Sequence, residues 1–328
     1  MNVSRWQAIE LMNQYGAGHT PFLFVIDYLM QKNIVLPLQE VQPDEILYQI
    51  GTFTNSDKPK NSAAISKSLQ IVKFPICFQE YLSKFEQVMS QIVQGNTYLL
   101  NLTCPTPIEC NFSLQEIFHI SRARYKIWVR DQFVCFSPET FVKIENQRIF
   151  SCPMKGTIDA CIPDAKEIIM SDEKETAEHY TIVDLIRNDL SMVAKKVRVE
   201  KFRYTDLIHA HDKTLLQVSS CIAGQLPRQY CAHLGEILFR LLPAGSISGA
   251  PKAKTVEIIE KVEGYPRGYY TGIFGIFDGY HLDSAVAIRF IEQTPTGLVF
   301  KSGGGITCHS LAEREYNEML QKVYVPIA

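Results

Sequence analysis

The period of the hydrophobic pattern changes along this chain, and each change marks an element. In MNVSRWQAIELMNQYG, apolar residues recur three and four apart, which predicts an amphipathic helix at the start. Short apolar runs follow (FLFVIDYLM, NIVLPL, EILYQIG), then the polar stretch TNSDKPKNSAA, which reads as a loop or internal boundary. FQEYLSKFEQVMSQIVQG returns to helical spacing and stops at Gly95, and TYLLNLT then reads as a strand. KIWVR, QFVCFS, TFVKIE and RIFSCPM come at close spacing with short turns, a sign of antiparallel sheet. The second half alternates helices with strands. SDEKETAEHYTIVDLIRNDL is a helix that Ser171 can cap and whose positive end suits Asp172 and Glu173. PKAKTVEIIEKVEG is another, with Pro251 in its first turn and Gly264 at its stop. The apolar segment from Gly268 to Gly305 reads as three strands joined by tight turns. Ser310-Leu-Ala-Glu313 reads as a capping box opening the last helix. Together these predict an α+β fold, with mostly antiparallel sheets covered by helices.

Composition narrows the class. At 328 residues the chain is one large domain or two ordinary ones, and 46% apolar with 21% charged residues is ordinary for a large packed core. A net charge of −2 argues against nucleic acid or an anionic membrane held by bulk electrostatics. No apolar run approaches the roughly 20 residues of a spanning helix, and the first residues lack a signal peptide's apolar core. A cytoplasmic protein is the expectation. The nine cysteines show no CxxC spacing and read as free, buried thiols in a reducing compartment.

Several stretches carry candidate chemistry. In Cys152-Pro-Met-Lys-Gly-Thr157, Lys155 is either an exposed strand-edge lysine or one aimed into a cavity, with Gly156 letting a ligand approach the backbone. Glu175 and Glu178 in one helix, and Glu315 and Glu318 in the last, are Glu-x-x-Glu pairs, each on one helical face. They are either solvated acidic faces or oxygen ligands for a shared hard cation such as Mg²⁺. Lys322, four residues after Glu318, pairs with that carboxylate or with one on a ligand. Leu241 to Lys252 is a small-residue loop running into a helix N-terminus, with Ser246 at its centre; it is not a P-loop, because Ala250 and Pro251 follow Gly249. Gly303, Gly304 and Gly305 end a strand and admit close backbone approach, without dinucleotide-binding spacing. Arg289 ends the run SAVAIRF as a strand-edge charge or a carboxylate partner, and Glu139 follows a strand as a possible general acid once desolvated. Spacing alone does not assemble them.

In this order, PMKGT, EKETAEHYTIVDLIRNDL, PAGSISGAPK, YYTGIFG, AIRF and SGGGIT…EREYNE resemble the chorismate-utilising enzymes. That family comprises anthranilate synthase component I, aminodeoxychorismate synthase component I, and the isochorismate and salicylate synthases. The match spans about residues 75–328. The resemblance implies two large antiparallel sheets enclosing the site, with residues 1–70 as a short N-terminal portion packed on a catalytic domain at 71–328. It implies Glu178 and Glu318 as Mg²⁺ ligands, with Glu175 and Glu315 beside them or holding waters, and Asp184, Arg187 and Asn188 in support. Arg289 and Tyr270 would hold the enolpyruvyl carboxylate, Lys322 the ring carboxylate, and Ser246 and Gly303 to Gly305 would lie around the substrate. Glu139 would protonate the departing C4 hydroxyl. Where anthranilate, isochorismate and salicylate makers resemble a form with alanine, this chain has Lys155 before Gly156-Thr157. Lysine there resembles the aminating synthases of p-aminobenzoate and folate synthesis, where its amine adds at C2, with desolvation as the expected means of activation. The chain departs from the family at Gln217, where many relatives have histidine, and at Leu99, where a polar group is common. Ammonia would come from a separate glutamine amidotransferase subunit. Anthranilate, isochorismate or salicylate formation, or a non-catalytic chorismate-binding relative, are the alternatives.

Overall fold

The computed structural model describes residues 2–56, 68–209 and 214–327; residues 57–64 of the polar stretch read as a loop or boundary lie outside them. Among the described residues, two antiparallel sheets of nine strands each form the centre. The first runs in the order Met154–Asp159, Thr214–Gln225, Arg148–Ser151, Thr140–Glu145, Leu282–Val286, Ile273–Phe277, Phe22–Ile26, Asn33–Pro37, with Lys195–His209 also paired to Thr214–Gln225. The second runs Gly249–Ala250, Leu99–Cys110, Gly297–Ile306, Phe290–Thr294, Phe133–Ser137, Tyr125–Val129, Ile46–Ile50, Phe53–Thr54, with Ile71–Lys73 on the far edge of Leu99–Cys110.

The strands FLFVI and IFGIF are buried at every position because they are covered on both faces. One face meets the other sheet through a shared core that includes Val25, Phe274 and Ile276 from the first sheet and Tyr48, Ile127 and Phe290 from the second. The other face is covered by helices such as Arg5–Ala17 and Leu234–Leu241, packed over Phe22, Phe24 and Phe277. Helices Phe78–Val93, Lys252–Glu263 and Ala312–Gln321 cover the second sheet around Leu100, Leu102 and Ile306. No helix among the described residues is long and apolar enough to cross a membrane.

Two connections between the sheets position the site. The chain leaves the second sheet at Ser137 and enters the first at Thr140; later it leaves the first at Val286 and enters the second at Phe290. These crossings lie side by side: the Val286 N–H donates to the Glu139 carbonyl and the Phe136 N–H to the Arg289 carbonyl, each at 3.1 Å. Glu139 and Arg289 thereby meet where the layers part.

Several local expectations need correction. The segment read as three strands holds four, because Arg289 takes a left-handed backbone (φ 55°) and breaks the run AVAIRF. Asp172, not Ser171, caps Glu173–Ser191, its side chain accepting from the Glu175 N–H at 2.9 Å; Ser171 ends the preceding helix. Ser310 is no N-cap: its hydroxyl accepts from the Thr307 N–H, and the helix starts at Ala312 without a side-chain cap. Cys77, Cys161 and Cys308 are exposed rather than buried.

Candidate active site

A cavity of about 630 Å³ opens between the sheet crossings, the glycine strand and two helices. Its floor is Gly303 to Gly305 on strand Gly297–Ile306. A Cβ on Gly304 would lie 3.5 Å from Glu315 Oε2, 3.7 Å from Glu318 Oε1 and 3.8 Å from Lys322 Nζ. One on Gly305 would lie 3.1 Å from Leu99 Cδ1 and 4.0 Å from Lys155 Nζ. The missing side chains therefore leave the space that separates these groups.

Lys155 reaches this space through a strand irregularity. Arg148–Ser151 and Met154–Asp159 follow one another along the same edge of Thr214–Gln225, with a register shift between Met154 and Thr157 and Gly156 at φ 78°. Such a bulge re-aims a side chain that regular pleating would direct elsewhere. Lys155 is thus not beyond a strand end but inside the next strand, its side chain 31% exposed and its Nζ 2.9 Å from Glu178 Oε2. Thr157 pairs with Gln217 across the strands, and the Gln217 amide donates to the Thr157 hydroxyl at 3.5 Å.

Helix Glu173–Ser191 presents Glu175 and Glu178 to the cavity, and helix Ala312–Gln321 presents Glu315 and Glu318. Glu315 is 3% exposed, and Glu318 accepts from Lys322 Nζ at 2.7 Å while Lys322 also donates to the Gly303 carbonyl at 2.8 Å. Burial works against the charge on Lys155, but Glu178, and then Glu175 and Glu318, outweigh it and hold its pKa above the ordinary lysine range. Desolvation is therefore not what sets its protonation in this state, contrary to the expectation from its setting. Lys322 is held below the usual range, because burial together with Arg289 and Lys155 outweighs Glu318.

At the crossings, Glu139 accepts from the Ser246 hydroxyl at 2.5 Å. Burial raises its pKa, and Ser246, Lys155, Lys322 and Arg289 offset only part of that rise. The Arg289 guanidinium stacks over Tyr324 at 5.4 Å, beside the cavity-lining Tyr270, which is 3% exposed. The candidate residues from Glu139 to Lys322, apart from Asp184, Arg187 and Asn188, line this one cavity.

The four carboxylates are hard oxygen donors suited to Mg²⁺. Among the described residues no three metal-ligating side chains come together; two of the carboxylates face ammonium groups instead. A cation taking Glu178 and Glu318 would replace charge that Lys155 and Lys322 supply here.

Asp184, Arg187 and Asn188 are not brought to the cavity. They form an exposed cluster, with Arg187 donating to Asp184 at 2.6 Å and Asn188 at 3.4 Å. Helical periodicity explains this, since Glu175, Glu178, Ile182, Ile186 and Asp189 make the inward stripe. Asp189 is bound by Lys252 Nζ at 2.8 Å, against Gly245 of the one-turn helix Gly245–Ser248 that carries Ser246 within the segment read as a loop.

A family model described as chorismate binding enzyme matches residues 24–328. The chain belongs to the chorismate binding enzyme family. An uncharacterised PabA-like protein of Haemophilus influenzae is 52% identical over 322 residues, covering 97% of this chain and 96% of that protein. Aminodeoxychorismate synthase component 1 of Escherichia coli is 31% identical over 264 residues, 75% of this chain and 56% of the relative. Among solved structures, the menaquinone-specific isochorismate synthase of Escherichia coli superposes with a TM-score of 0.73 at 16% identity, covering 98% of this chain and 82% of that one. That likeness establishes the two-sheet α+β fold.

This chorismate binding enzyme also contains a support network that motif reading missed. Arg267 and Glu263, each 3% exposed, form a bidentate pair (Nε to Oε2 2.8 Å, a second nitrogen to Oε1 2.6 Å). Arg267 further donates to the carbonyls of Ile247 at 2.9 Å and Asn101 at 2.7 Å, and to the Thr271 hydroxyl at 3.3 Å. Glu263 also accepts from the Thr103 N–H and hydroxyl, both at 2.8 Å. The pair ties the Ser246 loop, the Leu99–Cys110 strand and the turn after Tyr270 together. The only sequence signal is a charged pair four apart flanking Gly264-Tyr-Pro266.

Proposed function

We propose that this enzyme aminates chorismate to 4-amino-4-deoxychorismate, as an aminodeoxychorismate synthase component I. The observation that carries this reading is the placement of Lys155: an amine on a strand bulge, facing the glycine floor of a cavity that also holds a buried acid and clustered carboxylates. A chain forming isochorismate, salicylate or anthranilate needs room there for water or ammonia at C2.

The substrate is a dianion, and Arg289 and Lys322 take its carboxylates, with Tyr270 lining the same cavity. Glu178 and Glu318, with Glu175 and Glu315 beside them, would hold Mg²⁺, which would supply positive charge for a substrate carboxylate. Glu178 contributes most to keeping Lys155 protonated; with that carboxylate compensated, burial would favour the free amine. The Lys155 amine forms a bond to C2 as the C4–O bond breaks. Glu139, whose pKa burial raises, gives its proton to the departing oxygen, which leaves as water. Ammonia then bonds to C4 and the lysine nitrogen departs from C2, with the proton that ammonia sheds returning to the carboxylate site. A separate glutamine amidotransferase subunit supplies the ammonia, and the product feeds p-aminobenzoate and folate synthesis in the cytoplasm. Gln217 and Thr157 line the substrate side of the bulge; Leu99 gives the lysine an apolar neighbour.

The pairing of carboxylates with Lys155 and Lys322, instead of their gathering in threes, favours a second reading: a relative that binds chorismate without turning it over. One experiment separates the two. Purified protein is incubated with chorismate, Mg²⁺ and ammonium salt at mildly alkaline pH, with Lys155→Ala in parallel, and products are identified by mass and chromatography. The amino product from wild type, lost or diverted to a C2-substituted product in Lys155→Ala, supports amination. Anthranilate, isochorismate or salicylate from wild type refutes it. Bound but unconsumed chorismate, even with a glutaminase subunit added, leaves the binding relative.

A further inference from the structure

Two thiols face each other three residues upstream of Lys155. Ser151 is opposite Ile222 and Met154 is opposite Ser219 on the neighbouring strand, so Cys152 is opposite Cys221. The Ser220 N–H donates to the Pro153 carbonyl at 3.1 Å. Because hydrogen-bonded and non-hydrogen-bonded pairs alternate in antiparallel sheet, the adjacent Cys152–Cys221 pair is of the non-hydrogen-bonded kind. Its Cα atoms then stand about 4.5 Å apart, inside the range a disulfide spans. The two thiols are close enough to perturb each other's titration, and both are half-buried rather than sealed in the core. Ser151, Pro153, Ser220 and Ile222, their chain neighbours, are buried, so the pair occupies the sheet face away from that packing.

We propose that Cys152 and Cys221 form a peroxide-oxidisable dithiol, whose disulfide clamps the strand junction ahead of Lys155 onto strand Thr214–Gln225. Of the two, Cys221 is held down at about 7, chiefly by Cys152 and with help from Lys201 and Arg148, against burial and the nearby Glu200, which marks it as the attacking group. Its thiolate attacks one peroxide oxygen, the O–O bond breaks, and a sulfenic acid forms as hydroxide leaves. The Cys152 sulfur then attacks that sulfenic sulfur and expels its oxygen. Overall the two thiols give up two electrons and two protons, and the peroxide leaves as two waters. The clamp spans a junction held in the reduced protein by one backbone hydrogen bond, and next to it lies the bulge that aims Lys155.

The test is made on the full reduced chain, exposed to hydrogen peroxide, quenched with an alkylating agent and digested with trypsin without reductant. A linked pair of the peptides 149–155 and 214–228 is expected, abolished by dithiothreitol and absent from Cys152→Ser and Cys221→Ser. In the oxidised protein, amide exchange at residues 154–159 is expected to slow by about ten-fold, and to recover on reduction. Separate oxidation of Cys152 and Cys221 without linkage, or oxidation confined to the exposed Cys77, Cys161 and Cys308, overturns the proposal. So does a linked peptide with unchanged exchange, which would make the disulfide a bystander. None of these readouts depends on which reaction the enzyme catalyses.

Discussion

Replacing Glu263 by Gln leaves the shape of the buried network almost unchanged and removes its charge. Arg267 would then be a guanidinium with 3% exposure and no carboxylate, and the new amide group would have to point a donor at Arg267 or at the Thr103 N–H. Breaking a buried pair from one side costs about 3–5 kcal/mol, far above the roughly 0–1 kcal/mol of an exposed pair. Arg267→Met removes the cation but strands Glu263 and leaves the carbonyls of Ile247 and Asn101 without this donor. Its cost should be similar. In the double variant neither charge is stranded, so its cost should fall below the sum of the singles by about 2–3 kcal/mol. Urea unfolding followed by the fluorescence of Trp128, which is 6% exposed, measures all four proteins. Additivity within about 0.5 kcal/mol, or a Glu263→Gln cost below about 1 kcal/mol, would refute the assignment of this pair as a buried charge-compensated clamp.

Four further outcomes follow from the cavity. Ser246→Ala removes a hydrogen bond that favours the Glu139 carboxylate, so the pKa of this acid rises further and the high-pH limb of turnover shifts upward; an unshifted or lowered limb in the kcat profile contradicts that role. Gly303→Ala sets a Cβ 2.3 Å from the Leu102 carbonyl oxygen and should cost about 1–3 kcal/mol in thermal or urea unfolding, because backbone cannot yield. Gly304→Ala meets its nearest neighbour only at 3.5 Å, so the fold should persist while KM for chorismate rises about ten-fold through lost space. Chelating divalent cations should abolish turnover with the far-ultraviolet circular dichroism unchanged; turnover that survives chelation removes the metal from the proposal.

The elements were legible where period and stop signals agreed: helix Phe78–Val93 ends before Gly95, and Gly264 in a left-handed conformation ends Lys252–Glu263. Boundaries failed where a local device interrupts an apolar run. Arg289 turns the chain from one sheet to the other inside AVAIRF, and nothing in the run's hydrophobicity signals a left-handed residue there. The bulge at Lys155 is hidden for the same reason, since CPMKGT reads as a strand end unless the partner strand is known. Helical period, by contrast, did contain the information that Asp184, Arg187 and Asn188 face outward, because Glu178, Ile182 and Asp189 already define the inward stripe.

The site itself came from motif order, since its parts belong to both sheets and two helices, far apart in the chain. What the motifs do not convey is the balance of charge. A lysine in a cavity invites an account in terms of burial, yet Glu178 at 2.9 Å reverses the sign of that effect. Three of the four carboxylates that read as a metal site, Glu178, Glu175 and Glu318, also raise the pKa of the amine beside them, so under the proposed function metal loading and amine release would be one equilibrium rather than two independent properties. The Arg267–Glu263 pair lies outside that exchange. With its charges matched and its hydrogen bonds made, it can hold the Ser246 loop, and through Ser246 the acid Glu139, in place while the charges across the cavity change partners.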